Sequence, residues 1–151
     1  MYTRQEASQL RQAFWTTFGK YMSPILSADG AKINWINYKT GIKHIRFTME
    51  ADTKQATIAI VIDHPDAATR KRYYQQLVQL QGFLHETLGE QWNWQEEVSN
   101  EYGQLQSIIS KELKPANIFD QQQWPVVISF FKPRIMALDE CWSMAKEGFE
   151  R

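Results

Sequence analysis

The chain predicts an α+β fold in which an antiparallel sheet of about five strands carries helices packed mainly on one face. Three observations predict it. Apolar residues recur at steps of three and four near both ends of the chain. They alternate with polar residues through its middle, and short turn signals join the alternating stretches. No internal repeat, low-complexity tract or linker interrupts the chain, so residues 1–151 read as one domain of order α-β-β-β-α-β-β-α.

The first helix is expected from Thr3 to Met22, where Ala7, Leu10, Phe14, Phe18 and Met22 share one face and Trp15 widens it. Pro24 stops it, and Ser27-Ala28-Asp29-Gly30 is a turn signal. Residues 33–38 read as a first strand, with Lys39-Thr40-Gly41 turning into a second. There Ile45, Phe47 and Met49 point one way while His44, Arg46, Thr48 and Glu50 point the other. Ala51 to Gln55 turns the chain again, and Ile58, Ile60 and Ile62 of a third strand return to the same core. A one-residue slip would bury the charged row, which specifies the hairpin's register.

Asp63-His64-Pro65-Asp66 opens the second helix, with Pro in a first-turn position where its missing N–H costs nothing. Tyr73, Leu77, Leu80, Leu84 and Leu88 form its stripe, and Gly89 ends it. Residues 92–98 read as a fourth strand and residues 104–110 as a fifth, with imperfect alternation. The last helix begins near Asp120. Its seam is Val127, Ile128, Phe131, Ile135, Leu138, Trp142, Ala145 and Phe149, and Pro133 is expected to kink or break it by crowding the Ser129 carbonyl.

Seventeen basic and seventeen acidic side chains cancel, so no single-sign field steers the molecule toward nucleic acid or an anionic membrane. At this length about 68–70% of the unfolded surface can be buried without a staple. The one cysteine, Cys141, has no intramolecular disulfide partner, which fits a reducing compartment. The N-terminus lacks the apolar core of a signal peptide, and no stretch approaches the roughly 20 apolar residues of a membrane span. A cytoplasmic protein without membrane contact is expected. Six Trp, six Tyr and eight Phe exceed what a small core buries fully, so some are expected at a groove or interface.

Four constellations bear on function. Asp52-Thr53-Lys54 is a D-x-K triplet of the kind used by PD-(D/E)XK nucleases, with Asp29 as a nominal upstream acid. It falls in an expected hairpin turn, whereas that chemistry needs a rigid strand. The row His44, Arg46, Thr48 and Glu50 suits a phosphate or carboxylate, and equally suits the solvated side of a half-buried sheet. Arg70, Lys71 and Arg72 beside Tyr73 and Tyr74 mix charge and aromatics as nucleic-acid surfaces do. Three consecutive helical residues spread around the axis, however, and make no stripe. Trp92 and Trp94 share one strand face, and Trp124 precedes Pro125 at a helix entrance. Packing is their first reading, and an outward pair would anchor a partner.

His44, His64, His85 and Cys141 lack metal-ligand spacing, no glycine-rich loop follows a strand, and no cofactor is expected. Cys141 reads as a small apolar residue because nothing beside it would lower its pKa.

FWTTFGKYM at residues 14–22, INWINYKTGIKHIRF at 33–47, His64-Pro65-Asp66, and WPVVISFFKPRIMALDECW at 124–142 together resemble a bacterial domain family of unknown function. The resemblance covers nearly the whole chain, as a short form of the domain. In longer members a similar domain lies behind a nuclease-like one, which implies proximity to nucleic-acid-processing or defence systems. It implies no catalytic residues. The expectation is therefore a non-enzymatic binding or interaction module, with a protein partner or a second copy of itself, presenting the polar sheet row and the outward aromatics. The alternative is a metal-dependent nuclease using Asp52 and Lys54. A nuclease would gather carboxylates around Asp52 in a concave site; a module would show an exposed turn.

Overall fold

The helix α1, Arg4–Met22, starts at a Thr3 cap whose hydroxyl accepts from the Glu6 N–H while the Glu6 carboxylate accepts from the Thr3 N–H. In this computed structural model, which describes residues 2–149, Phe14, Phe18 and Met22 of α1 are fully buried. The expected stripe thus faces the core.

Four strands follow the N-terminal region: β1 Ile45–Ala51, β2 Ala56–Ile62, β3 Asn93–Ser99 and β4 Leu105–Leu113. They form one antiparallel sheet in the order β1-β2-β4-β3. The expected hairpin register is present. Ile45, Phe47 and Met49 sit opposite Ile62, Ile60 and Ile58, and all six point toward the helices.

Among the described residues the sheet has four strands and not five, because residues 33–38 form a loop. Their apolar residues are Ile33, Trp35, Ile36 and Tyr38, a spacing that no strand can place on one face. The Asn34 side chain instead accepts from the N–H groups of Ile36 and Asn37, both at 3.1 Å, and bends the chain. Trp35 turns inward and donates its indole N–H to the Ile25 carbonyl at 2.9 Å.

The second helical stretch is two helices, α2 Ala67–Val78 and α3 Gln81–Leu88. Asp66 caps α2 by accepting from the Thr69 N–H. A turn from the Leu77 carbonyl to the Leu80 N–H separates the two helices. The break lets α2 lie on β2 and β4 while α3 lies on α4. Gly89 ends α3 in the left-handed region at φ 66°.

The last helix, α4, runs from Trp124 to Ala145 without a break at Pro133. The Arg134 guanidinium donates to the Phe130 carbonyl at 2.8 Å, which supports a carbonyl beside the crowding ring. Val127, Phe131, Ile135, Leu138 and Trp142 form the buried seam. Tyr74 of α2 touches Trp94, and Phe47 touches Trp142 of α4, so the helices share one side of the sheet. The other side carries Arg46, Thr48 and Glu50 opposite Val61, Ala59 and Thr57, with Val61 and Ala59 buried between their neighbours.

Candidate functional site

At one end of the sheet the chain brings His44, Asp63, Arg70, Gln104 and Leu105 around a cavity of about 580 Å3. The hairpin supplies the first two residues. His44 lies just before β1 in the left-handed region at φ 71°, and its carbonyl accepts from the Asp63 N–H at 3.0 Å. Asp63 then splits its carboxylate between two partners. One oxygen accepts from His44 Nδ1 at 3.0 Å and the other from Arg46 at 2.8 Å.

The start of α2 supplies Arg70, and the entry to β4 supplies Gln104 and Leu105. The His64 ring stands 4.9 Å from that of His44, edge to face, and its Nδ1 accepts from the Asp66 N–H. Arg70 points inward and is only 4% exposed. One of its amino groups donates to the His64 carbonyl at 2.9 Å, and the other lies 3.7 Å from Glu97. That second contact is too long for a direct hydrogen bond. Glu97 comes from the bulge between Gln95 and Val98 in β3. Positive, negative and imidazole groups therefore line one concavity.

Sequence reasoning named His44, Arg46 and Arg70 but placed them in two separate groups, and the fold brings them to the same end of the sheet. Thr48 and Glu50 continue along the strand away from the cavity. Lys71 and Arg72 are exposed, and Arg72 lies over the Tyr73 ring at 5.6 Å. The three consecutive cations thus split between interior and surface. Asp63 escaped notice as a site residue because it read as part of the helix opening, whereas Asp66 does the capping.

The tryptophans go to packing. Trp92 is buried and donates to Glu90 at 2.9 Å, Trp94 is half-buried against Tyr74, and Trp124 donates to the Ile118 carbonyl at 2.6 Å. Arg134 of α4 holds the same Glu90 through two hydrogen bonds, at 2.6 and 2.9 Å.

Asp52, Thr53 and Lys54 form an exposed turn between β1 and β2. One Asp52 oxygen accepts from the N–H groups of Lys54 and Gln55, at 2.7 and 2.9 Å, which holds its carboxyl below the usual range. Asp29 is elsewhere, bonded to Ser143 and, at 2.8 Å, to Lys146. Among the described residues no group of three or more His, Cys, Asp or Glu is arranged to hold a metal. Cys141 is buried, and burial pushes its thiol up to about 11. No helix among the described residues is long and apolar enough to cross a membrane.

A second cavity, of about 340 Å3, has Asp139 in its wall. Asp139 is 5% exposed; one oxygen accepts from the Tyr38 hydroxyl at 2.6 Å and the other from the Ala28 N–H at 2.7 Å. Sequence reasoning missed it. Nothing local marks it, since its partners are 101 and 111 residues away.

The family described as a domain of unknown function, DUF4268, matches residues 10–146, and the chain belongs to it. No curated protein and no solved structure matches the chain.

Proposed function

We propose that the domain is a non-catalytic binding module whose cavity beside His44 and Arg70 receives an oxyanion, a carboxylate or a phosphate, carried by its partner. The observation that carries this reading is the buried Arg70 guanidinium on the cavity wall, with one amino group loosely held. A planar guanidinium matches both oxyanions in shape and charge. His44 adds a ring on the same wall, fixed in an uncommon backbone conformation of the kind that gathers at functional sites. Arg46 supports the site from outside by neutralising Asp63.

A cytoplasmic setting fits the free, buried Cys141. A partner in a bacterial nucleic-acid-processing or defence system fits the resemblance of the four segments, and there the oxyanion would be a phosphate. The nuclease reading has no comparable support, because Asp52 and Asp29 are engaged in different parts of the molecule.

The test is a titration followed by amide chemical shifts, with inorganic phosphate in one arm and acetate in the other. Saturable shifts are expected at His44, Ala67 and Arg70, stronger for the oxyanion that the partner carries. Arg70→Gln and, as a milder change, His44→Asn should each weaken binding about tenfold. Shifts scattered over exposed lysines and arginines, or none that saturate with either anion, would overturn the reading.

A further inference from the structure

We infer that the outer edge of β1 is a self-pairing surface, on which a second copy of the chain lays its own β1 antiparallel across a two-fold axis at Thr48. The sheet order leaves β1 and β3 as the two edges. They differ in protection. The β3 edge carries a bulge and the neighbouring acids Glu96 and Glu97, both of which oppose pairing with another strand. In β1 there is no bulge, proline or lysine over Ile45–Ala51.

The main chain of β1 shows which groups face outward. Ile45 donates its N–H to the Ile42 carbonyl, and its own carbonyl accepts from the Thr40 hydroxyl at 2.6 Å, so Ile45 is directed away from β2. Direction alternates along a strand, which turns the N–H and C=O groups of Phe47 and Met49 outward as well. Among the described residues no hydrogen bond joins those outward groups to a partner. The loop therefore covers the start of the edge, and the stretch beyond it stays open.

The side chains make this stretch complementary to itself. Pairing about Thr48 sets Phe47 opposite the partner's Met49, so outward-directed main-chain groups meet outward-directed ones. The same register sets Arg46 opposite the partner's Glu50, and Glu50 opposite the partner's Arg46. Those two pairs fall at the closer, non-hydrogen-bonded positions, about 4.5 Å apart at Cα. Arg46 uses one amino group on Asp63 and is about half exposed, at 53%, so its remaining donors reach a second carboxylate. Opposite charges at both symmetric positions are the argument for a second copy as the occupant. This inference does not depend on the oxyanion cavity, whose walls are His44 and Arg70.

Sedimentation velocity on the whole chain over the micromolar range tests it. A two-chain species that dissociates on dilution is expected, together with weaker association in high salt. Glu50→Arg places like charges opposite each other twice and should weaken association about tenfold or more. Met49→Pro removes an outward N–H and should abolish the two-chain species while circular dichroism stays native. Glu50 is exposed, so its variant decides the matter if the proline variant does not fold. A single-chain species at every concentration, or a two-chain species indifferent to Glu50→Arg, would overturn the inference.

Discussion

Asp139 shows how one side chain organises a region that has no regular structure. It projects from α4 and holds both the Ala28 N–H and the Tyr38 hydroxyl, so the loop after α1 is fastened to the last helix. Burial first, and then the hydrogen bond to Asp139, keep the Tyr38 phenol far above its usual value. The folded protein therefore retains a proton that the unfolded chain releases near pH 10, and this contribution is complete below that pH and declines above it. Tyr38→Phe is expected to lower stability by about 2 kcal/mol at neutral pH, as a hydrogen bond to a charged acceptor is lost. Its urea-derived stability should also fall less than the native protein's between about pH 8 and about pH 11. Tyr74, raised by its own burial, leaves some decline in both. An equal alkaline loss in the two proteins would count against Tyr38 as a source. At this scale the sequence was legible where partners are near, as in the Asp52 turn, and silent where they are far, as for Asp139.

Helices and strands were legible where a single periodicity decided them. The stripe of α1 and the alternation of β1 and β2 appear as read, because each element buries one face against one neighbour. The element between them was misread because Ile33, Trp35, Ile36 and Tyr38 anchor individually. The α2–α3 break has no proline or glycine at Gln79 or Leu80 to announce it; it follows from two packing partners lying in different directions. Pro133 announced a break that tertiary contact overrides. Its ring is on the exposed side of α4, while Phe131, Ile135 and Leu138 hold both halves of the helix in the core. Pro133→Ala should restore the missing bond to Ser129 and raise stability. The gain is expected at about 1–2 kcal/mol, less than the roughly 3 kcal/mol of an isolated helix, because Arg134 already supports the Phe130 carbonyl. A thermal melt reads it directly; a lowered midpoint would mean that α4 needs the proline ring for its packing.

As a whole, the molecule is a sheet with helices on one side, and its aromatic surplus explains how that single layer is held. Phe14, Phe18 and Phe131 cluster between α1 and α4, while Tyr38, Phe47, Trp142 and Phe149 link the loop, the sheet and the end of the chain. Every tryptophan is at least half-buried, yet Trp92 and Trp142 also line cavities, and Tyr2, Tyr21 and Tyr102 are the exposed part of the aromatic surplus. Surfaces open to contact include the Arg46, Thr48 and Glu50 row, the β1 edge, and the cavities beside Arg70 and Asp139. The edge makes a further prediction about exchange with solvent. Amides of β2 and β4 lie in central strands and should be the slowest, since they open only with the whole sheet. Along β1 the rates should alternate in dilute solution. Arg46, Thr48 and Glu50 bond to β2 and exchange slowly, whereas Phe47 and Met49 face outward and exchange fast. Raising the concentration until chains pair should slow Phe47 and Met49 and leave the other three unchanged, a pattern that general tightening of the fold would not produce. Uniform rates across residues 46–50 at dilution would show that the outer edge is already covered, and would remove the surface on which a second strand is expected to lie.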